Sequence, residues 1–252
     1  MKDLLGCVMD IGEQMLLCGA EVHRVEDSVK RMCTALGAAQ VDIFIITSSM
    51  VATVQIDDDT TYTQSRRVEN VGTDIEKLHK LNNLSRAICK KPMTAAEIQT
   101  ELSNISLTTK RYPFWIECIS YAIIAGSFTL FFGGNWIEAL LSLLIGALIR
   151  FVVSLTENML GNKILAKCLC SFSASALAFL CLRIGWVDSV DMIIVGNIMT
   201  LIPGIGLTNA VRDLFTGDSI AGLLRSIEAV LVALAIAAGY FLFIFLTGGV
   251  AA

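Results

Sequence analysis

The sequence predicts an N-terminal α+β domain followed by an all-α membrane domain of five transmembrane helices. Three observations lead to this fold class. The chain of 252 residues is 55% hydrophobic, and its mean hydropathy of +0.68 is high for a soluble protein. Charged residues concentrate in residues 1–112 and become sparse in residues 113–252. The apolar runs of the second part approach the length that a bilayer requires.

The first part, residues 1–112, changes its hydrophobic period along the chain. Apolar residues first recur at helical spacing, then β-branched runs indicate strands, and helical spacing returns. Gly37 closes the second helix and Pro92 stops the third. The stretch Thr94-Ala95-Ala96-Glu97 has the pattern of a capping box that opens the fourth. The predicted helices are 4–20, 20–36, 73–90 and one after Thr94, and the predicted strands are 41–47, 50–56 and 61–65.

Five apolar runs in residues 113–252 predict the membrane spans. They are 114–132, 136–155, 164–182, 192–207 and 223–247. Orientation follows from the Lys and Arg residues in the short flanks, which concentrate on one side of these spans. That side carries Lys110, Arg111, Lys163, Lys167, Arg212 and Arg225, and the other carries Arg183. The N-terminal domain is therefore predicted to be cytoplasmic and the C-terminus, Ala252, to lie outside.

Composition argues against several classes of protein. A net charge of −4 disfavours nucleic-acid binding. Asp10 and Glu13 interrupt the apolar start of the chain, so we expect no signal peptide. The eight cysteines include no C-x-x-C pair, which predicts buried free thiols in a reducing compartment. The three acids at 57–59 lack the spacing of a calcium loop, so they predict a solvated hairpin tip and no metal site.

The most informative segment is the fourth apolar run, which is broken in its middle. Pro203 has no N–H to donate to the carbonyl of Met199, and Gly204 and Gly206 follow at once. Backbone groups freed at membrane depth must find partners inside the protein or in a water-filled cavity. A broken helix of this kind indicates a transport site. A kink without a ligand is the alternative, and the segment alone leaves both open.

Arg150 is the most deeply placed charge in the predicted spans. A buried arginine needs a partner or a path to water. Glu117, Glu157 and an anionic substrate are the candidate partners. The side chain could instead extend to the inner membrane–water interface, which costs a long side chain little free energy.

The densest polar cluster of the first part is Cys18 to Asp27. Gly19 permits a break or a close approach between the first two helices. On a helix, Glu21 and Arg24 would share a face, so an ion pair on a solvated surface is the structural alternative to a site. His23 has no serine or cysteine nucleophile motif beside it, which disfavours catalysis by this residue.

Small residues at four-residue spacing indicate close helix contacts in the membrane part. Ala229, Ala233 and Ala237 recur on the fifth span, and Ser171 and Ser175 on the third. This spacing fits a homo-oligomer or packing within one subunit.

The cluster near the N-terminus and the broken segment together resemble the threonine/serine exporter family, including its YjjP-like branch. The family's Gly-Ala-Glu…Arg-Val-Glu stretch corresponds to Gly19-Ala20-Glu21-Val22-His23-Arg24-Val25-Glu26. Its Ile-Pro-Gly stretch and following polar segment correspond to Ile202-Pro203-Gly204, Asn209, Arg212-Asp213 and Gly217-Asp218. The resemblance spans nearly the whole chain in order.

This resemblance implies a secondary exporter of small polar metabolites in the inner cell membrane, driven by a proton gradient and needing no cofactor. Full-length members look like two fused five-span halves, and this chain matches the first. The resemblance therefore implies a split exporter whose small polytopic partner subunit matches the second half. The implied substrate is threonine or serine, or a dicarboxylate such as succinate. A dicarboxylate would favour Arg150 and Arg212, whereas an amino acid could use Asp213 with Arg212.

The broken segment, the deeply placed arginine and the resemblance together predict a set of site residues. The substrate path comprises Asn197, Pro203, Gly204, Asn209, Arg212, Asp213, Asp218 and Arg150, and the cytoplasmic motif comprises Glu21, Arg24 and Glu26.

Two other functions stay open at this point. One is a membrane-embedded hydrolase that uses carboxylates such as Glu21 and Glu26, although the chain has two histidines and no Gly-x-Ser-x-Gly motif. The other is a non-transporting scaffold or sensor in which the soluble domain is the working part. We expect the chain not to be an enzyme.

Overall fold

The computed structural model describes residues 2–69, 71–109 and 112–248. The chain divides into two compact units. The first comprises Met1–Lys110 and Ile205–Ile227, and the second comprises Arg111–Gly204 and Glu228–Ala252. Lys110, Arg111 and Ala252, on which the predicted orientation partly depends, lie outside the described residues.

The N-terminal part of the first unit has the predicted order of two helices, three strands and two helices. Its elements are α1 Lys2–Leu17, α2 Val22–Ala35, β1 Gln40–Ile46, β2 Ser49–Gln55, β3 Thr61–Arg67, α3 Ile75–Lys90 and α4 Ala95–Thr108. The strands form an antiparallel sheet in the order β1-β2-β3. Val41 pairs with Val54, and Met50 pairs with Arg66. The predicted α+β class of this part is therefore confirmed.

Alternating burial explains why this sheet forms. In β2 the side chains of Met50, Ala52 and Val54 are buried, and the residues between them are more exposed. Burying one face of a strand fixes its register, because a slip by one residue would turn every apolar side chain to the other face. The helices supply the rest of the core, with Met9 on α1 and Val25 on α2 fully buried.

The predicted capping box opens α4. The backbone N–H of Glu97 donates to the hydroxyl of Thr94, and the Glu97 carboxylate accepts from the Thr94 amide at 2.8 Å. Two helix N-terminal donors are thus satisfied reciprocally.

The second unit is a helical bundle. Its helices are α5 Phe114–Phe131, α6 Trp136–Leu160, α7 Lys163–Ile184 and α8 Asp191–Met199. Two further helices, α9 Gly204–Thr216 and α10 Ser219–Leu246, each have residues in both units. Within the described residues, α5, α6, α7 and α10 are long and apolar enough to cross a membrane. A fifth span results if the bent pair α8 and α9 is counted as one. Five spans remain a prediction.

Apolar side chains cover the outside of the second unit. Leu144 on α6 is 64% exposed and Phe245 on α10 is 82% exposed. Large exposed apolar surfaces of this kind mark contact with a membrane or another protein. Together with the hydropathy of the helices, they indicate a lipid-facing surface.

Glycines allow the closest helix contacts in this bundle. A Cβ on Gly196 of α8 would lie 2.1 Å from the Thr129 hydroxyl on α5. A Cβ on Gly239 of α10 would lie 2.1 Å from the carbonyl oxygen of Cys168 on α7. Of the alanines in the stripe predicted on the fifth span, Ala229 is buried and Ala233 is exposed. Their role in a homo-oligomer or in packing within one subunit stays a prediction.

The fourth predicted span, 192–207, is two helices and not one. Before Pro203, the backbone hydrogen bonds already span three residues instead of the four of an α-helix. The N–H of Thr200 donates to the carbonyl of Asn197, and the N–H of Leu201 donates to the carbonyl of Ile198. The Thr200 hydroxyl also donates to the Asn197 carbonyl at 2.7 Å. The break therefore covers 200–203, and the polar residues after it, between the fourth and fifth predicted spans, begin in the helix α9.

Candidate functional site

The sequence-predicted site residues fall into two groups, one in each unit. Asn209, Arg212, Asp213, Asp218, Glu21, Arg24 and Glu26 belong to the first unit. Asn197, Pro203, Gly204 and Arg150 belong to the second. The first group contains residues that are far apart in sequence and bonded to one another, so it is the main candidate site.

The turn between α1 and α2 brings the N-terminal motif into position. Gly19 has a φ of +87°, which L side chains rarely adopt. A Cβ at this position would also lie 2.7 Å from the carbonyl oxygen of Gly72. The sequence needs glycine here for both reasons, and the turn leaves the carbonyls of Gly19 and Ala20 free to accept hydrogen bonds.

Asn209 on α9 uses the first of these carbonyls. Its side-chain amide donates to the Gly19 oxygen at 3.1 Å. The two residues are 190 positions apart in sequence. This bond joins the N-terminal motif to the segment that follows the helix break.

Glu21 makes the second link, with Arg212 on α9. The Nη1 group of Arg212 donates to Oε1 of Glu21. The predicted alternative, an intrahelical pair with Arg24, is wrong, because Glu21 has an extended backbone and lies just before α2. The pair is unevenly exposed, since the Glu21 side chain is 14% exposed and that of Arg212 is 54% exposed.

Arg225 on α10 makes the third link and is almost completely buried. It donates to the carboxylate of Asp213 at 2.8 Å and to the carbonyl of Ala20 at 3.1 Å. The side chains of Arg225 and Asp213 are 12% and 1% exposed. Arg225 therefore joins α10, α9 and the N-terminal turn. We name the residues of the three links, Gly19, Ala20, Glu21, Asn209, Arg212, Asp213 and Arg225, the motif network.

A cavity of about 210 Å³ lies beside the motif network in the first unit. Its polar lining includes Glu21, Arg24, Thr73, Asn82 and Asn209. One acid, one cation and two amides therefore border the same space. Such convergent polar groups in a concave site can orient a small polar molecule.

Glu26 and Asp218 add two acids to the same unit. The carboxylate of Glu26 accepts from the backbone N–H of Ile45 at 3.1 Å. Burial, and then the charge of Asp218, raise the pKa of Glu26, while the Ile45 hydrogen bond and His23 lower it. Among the described residues, no partner bonds the buried Oδ2 of Asp218 or the buried Oδ1 of Asp213.

In the second unit, Arg150 pairs with one of its predicted partners. Its Nε donates to Glu117 Oε2 at 2.8 Å, and its guanidinium lies 5.4 Å from the ring centre of Phe114. Arg150 and Glu117 line a cavity of about 340 Å³ with Ser120 and Tyr121. The side chain of the other candidate, Glu157, lies outside the described residues.

Asn197 is fully buried just before the helix break. Its amide donates to the carbonyl of Ile193 at 2.9 Å. Its Oδ1 has no hydrogen-bond partner within the described part of the chain. An unsatisfied amide oxygen beside the broken end of α8 is a polar group that a passing substrate or water could bind.

The role of Arg225 was not predicted from the sequence, in which this residue belongs to a basic flank and has no partner in the site. The available signal was the single arginine of a largely apolar helix, twelve residues after Asp213. That spacing does not place two residues together on one helix, so the contact depends on the turn at Gly217.

A bundle of apolar helices with a broken helix, together with a polar network built from two distant motifs, is typical of membrane transporters. The family model ThrE, described as "Putative threonine/serine exporter", matches residues 7–247. The chain belongs to this threonine/serine exporter family, as its two motifs predict. No solved structure matches it.

Curated relatives are similar along most of this chain. A protein of Klebsiella aerogenes named "Probable succinate transporter subunit YjjP" is 24% identical over 89% of this chain and 86% of the relative. "Threonine/serine exporter" of Corynebacterium glutamicum is 24% identical over 91% of this chain and 48% of the relative. "Pheromone-regulated membrane protein 10" of Kluyveromyces lactis is 23% identical over 90% of this chain and 24% of the relative.

Proposed function

We propose that this membrane protein is one subunit of a proton-driven exporter of a small polar metabolite, and that the motif network borders its substrate site. The observation that supports the proposal most is the link between Asn209, Arg212 and the N-terminal turn. It joins the two motifs of the family around one polar cavity.

The charges beside this cavity favour an amino acid over a dicarboxylate. Arg212 is paired with Glu21, and Arg225 is paired with Asp213, so these cations are already neutralised. The charged residues that line the cavity are Glu21 and Arg24, which have opposite signs. Although Glu21 is paired with Arg212, its carboxylate keeps acceptor capacity for an ammonium group, and Arg24 would stabilise a carboxylate. A second substrate carboxylate beside Glu21 would meet an acceptor that has no hydrogen to donate. The proposed substrate is therefore threonine or serine, and succinate is the alternative.

A partner subunit is part of the proposal. The chain covers 86% of the relative named as a transporter subunit but 48% of the relative named as a threonine/serine exporter. We infer that a small polytopic protein supplies the remaining half of the transport path. The Lys and Arg residues that flank the predicted spans support an orientation in the inner membrane with the N-terminal domain, residues 1–112, in the cytoplasm. Five spans would then place the C-terminus outside.

A counterflow assay tests this function. The chain and a candidate small polytopic partner are reconstituted together into vesicles loaded with unlabelled threonine, serine or succinate. Uptake of the same labelled compound is then measured with and without a pH gradient. We expect counterflow of threonine or serine that requires both subunits and is stimulated by the gradient. Counterflow of succinate alone would overturn the substrate assignment, and no counterflow of any compound would overturn the exporter.

Arg24→Gln separates the two substrate classes within this assay. Arg24 lines the cavity and is exposed, so its loss should leave the fold intact. If Arg24 binds the substrate carboxylate, the variant should need a higher concentration of threonine for half-maximal counterflow. Arg31→Gln is the matched control, because Arg31 lies on the same helix in an exposed pair with Asp27.

A further inference from the structure

The cavity of about 340 Å³ in the second unit contains no residue of the motif network. Its lining residues include Glu117, Ser120 and Ile124 on α5 and Arg150 and Val153 on α6. Both helices are long and apolar enough to cross a membrane, so the cavity is a groove in the membrane part of the chain. Charged and apolar side chains share its lining, which suits a ligand with a polar and an apolar part. We name this cavity the α5–α6 groove.

Arg150 gives the groove a hydrogen-bond donor without an acceptor. Its Nε and Nη2 groups both donate to Oε2 of Glu117. The third nitrogen, Nη1, is buried and has no hydrogen-bond partner among the described residues. A buried N–H group without an acceptor is costly, and a charged oxygen is the acceptor that a guanidinium binds most strongly. The Nη1 group therefore indicates a ligand that carries an oxyanion.

Glu117 gives the same groove an acceptor. Both bonds from Arg150 use Oε2, which leaves Oε1 for another donor. The side chain of Glu117 is 32% exposed, so a ligand can reach it. A carboxylate accepts at both of its oxygens, and an ammonium group has hydrogens to donate. The ion pair thus offers one position for an oxyanion and one for an ammonium group, and its net charge is zero.

The aromatic rings beside the guanidinium disfavour a quaternary ammonium ligand. Arg150 lies 5.4 Å from the ring centre of Phe114 and 5.8 Å from that of Tyr121. Aromatic faces are the surfaces on which proteins bind cations without an N–H group. Because these two rings already contact a cation, the attraction for a second one comes from Glu117. A carboxylate of this kind favours a cation that can donate a hydrogen bond.

The start of α5 has the composition of a membrane–water interface. Tyr112, Phe114 and Trp115 are 66%, 44% and 62% exposed. Exposed aromatic residues at the end of an apolar helix mark the level of the lipid headgroups. Glu117 follows about 4.5 Å along the helix from Phe114, and Ile124 lies further along. The groove therefore has its charges near the headgroup level and part of its apolar lining deeper in the bilayer.

We propose that the α5–α6 groove binds a zwitterionic phospholipid with a primary ammonium group, that is, a phosphoethanolamine lipid. The phosphate accepts from Nη1 of Arg150, the ammonium group donates to Oε1 of Glu117, and an acyl chain lies against Ile124. A free amino acid has the same pair of charged groups but no acyl chain for the apolar lining. The site goes beyond the proposed function, and it does not depend on what the chain transports.

Native mass spectrometry of the purified full-length chain tests this site. Phosphatidylethanolamine, phosphatidylcholine and phosphatidylglycerol with identical acyl chains are added at increasing concentration, and the dissociation constant of the first bound lipid is measured. Phosphatidylcholine keeps the phosphate and the positive charge but has no N–H donor, and phosphatidylglycerol has no cation. We expect phosphatidylethanolamine to bind about tenfold more tightly than either, as for one hydrogen bond to a charged group. Equal binding of the three lipids would overturn the proposal.

A variant that fills the groove shows whether this preference arises there. Ser120→Leu places a larger side chain in the lining and leaves the ion pair intact. The Ser120 hydroxyl bonds to the carbonyl of Ile116 on its own helix, so the fold should persist. Ser173→Leu on α7 is the matched control, because its hydroxyl makes the same bond to Leu169 and it does not line the groove. We expect only Ser120→Leu to lose the headgroup preference, and its persistence in this variant would overturn the site.

A double variant tests the two charges. Arg150→Gln with Glu117→Gln removes both together, so neither charge is left in the bundle without its partner. We expect the three lipids to bind this variant with similar dissociation constants. A preference for phosphatidylethanolamine as strong as that of the wild type would contradict recognition by the ion pair.

Free threonine distinguishes a lipid site from a second site for the transported compound. It is added to the wild-type chain with phosphatidylethanolamine bound, and we expect the lipid to stay bound. Displacement by threonine would overturn the lipid assignment and give the groove to an amino acid. If no compound shows counterflow while the headgroup preference persists, the exporter proposal fails and the lipid site stands.

Discussion

The side-chain amide of Asn209 donates a hydrogen bond to the backbone carbonyl of Gly19 at 3.1 Å, across 190 residues of sequence. The bond requires the left-handed turn at Gly19 on one side and a helical α9 on the other. The first unit is therefore built from both ends of the chain. A change in α9 would reach the N-terminal motif directly through this bond and through Arg212 and Arg225.

Arg225→Ala should destabilise the first unit severely. The substitution leaves the carboxylate of Asp213 buried without its ion-pair partner, and it removes a donor from the Ala20 carbonyl. Breaking a buried pair by removing one partner costs about 3–5 kcal/mol. Thermal unfolding or the yield of monodisperse protein measures this. Wild-type stability of Arg225→Ala would contradict the buried pair.

Arg212→Ala should separate stability from transport. More than half of the Arg212 side chain is exposed, so its pair with Glu21 contributes less than about 1 kcal/mol to folding. We expect nearly native unfolding and reduced export. Arg31→Ala is the matched control, because Arg31 forms an exposed pair with Asp27 away from the motif network. Unfolding of Arg212→Ala as severe as that of Arg225→Ala would show that the pair is structural.

Arg150→Lys should weaken the bundle of the second unit although the charge is kept. A lysine cannot reproduce both contacts of the guanidinium, the bond to Glu117 and the stacking over Phe114. We expect the free energy of unfolding to fall by about 1.5–3 kcal/mol, as for the loss of a hydrogen bond to a charged group. Arg183→Lys is the control, since Arg183 lies over the ring of Phe179 but has no ion pair among the described residues.

Gly196→Ala and Gly239→Ala should both disrupt helix packing. A Cβ at either position would lie 2.1 Å from an oxygen atom, that of Thr129 or that of the Cys168 backbone. Gly239 is the more severe case, because its 2.1 Å contact is with a backbone oxygen, whereas the backbone atoms nearest to a Cβ on Gly196 lie at 2.8 and 2.9 Å. Size-exclusion profiles of the purified variants measure the effect. Gly204→Ala is the control, with no atom within 4 Å of the added Cβ, and native profiles for all three variants would contradict the packing.

Local signals in the sequence predicted the elements well. Thr94 and Glu97 specify their capping box within four residues, and β-branched alternation marks each strand of the sheet. Pro203 correctly indicated a break, although the helix ends earlier, at Met199, where Thr200 turns its hydroxyl onto the backbone. These features depend on neighbours in sequence, so a single chain is sufficient to predict them.

The contacts of the candidate site were harder to predict because they depend on the tertiary fold. Nothing local to Glu21 indicates Arg212 as its partner, and Arg24 was the nearer choice. From the sequence, Arg225 was one of the charges that predict the orientation of the spans in the membrane. Its contact with Asp213 depends on the turn at Gly217, which no local pattern indicates. Gly239 likewise has no local signal that distinguishes it from the neighbouring alanines.

The ion pair between Glu21 and Arg212 is the contact on which the proposed site depends most, and a charge exchange tests this pair most directly. Export is measured in the co-reconstituted vesicles for Glu21→Arg, for Arg212→Glu and for the double variant. We predict that each single variant lowers the initial rate about tenfold or more, a barrier change of about 1.4 kcal/mol, and that the double variant recovers a large part of it. Wild-type rates in both single variants would contradict the claim that this pair joins the two motifs into one working site.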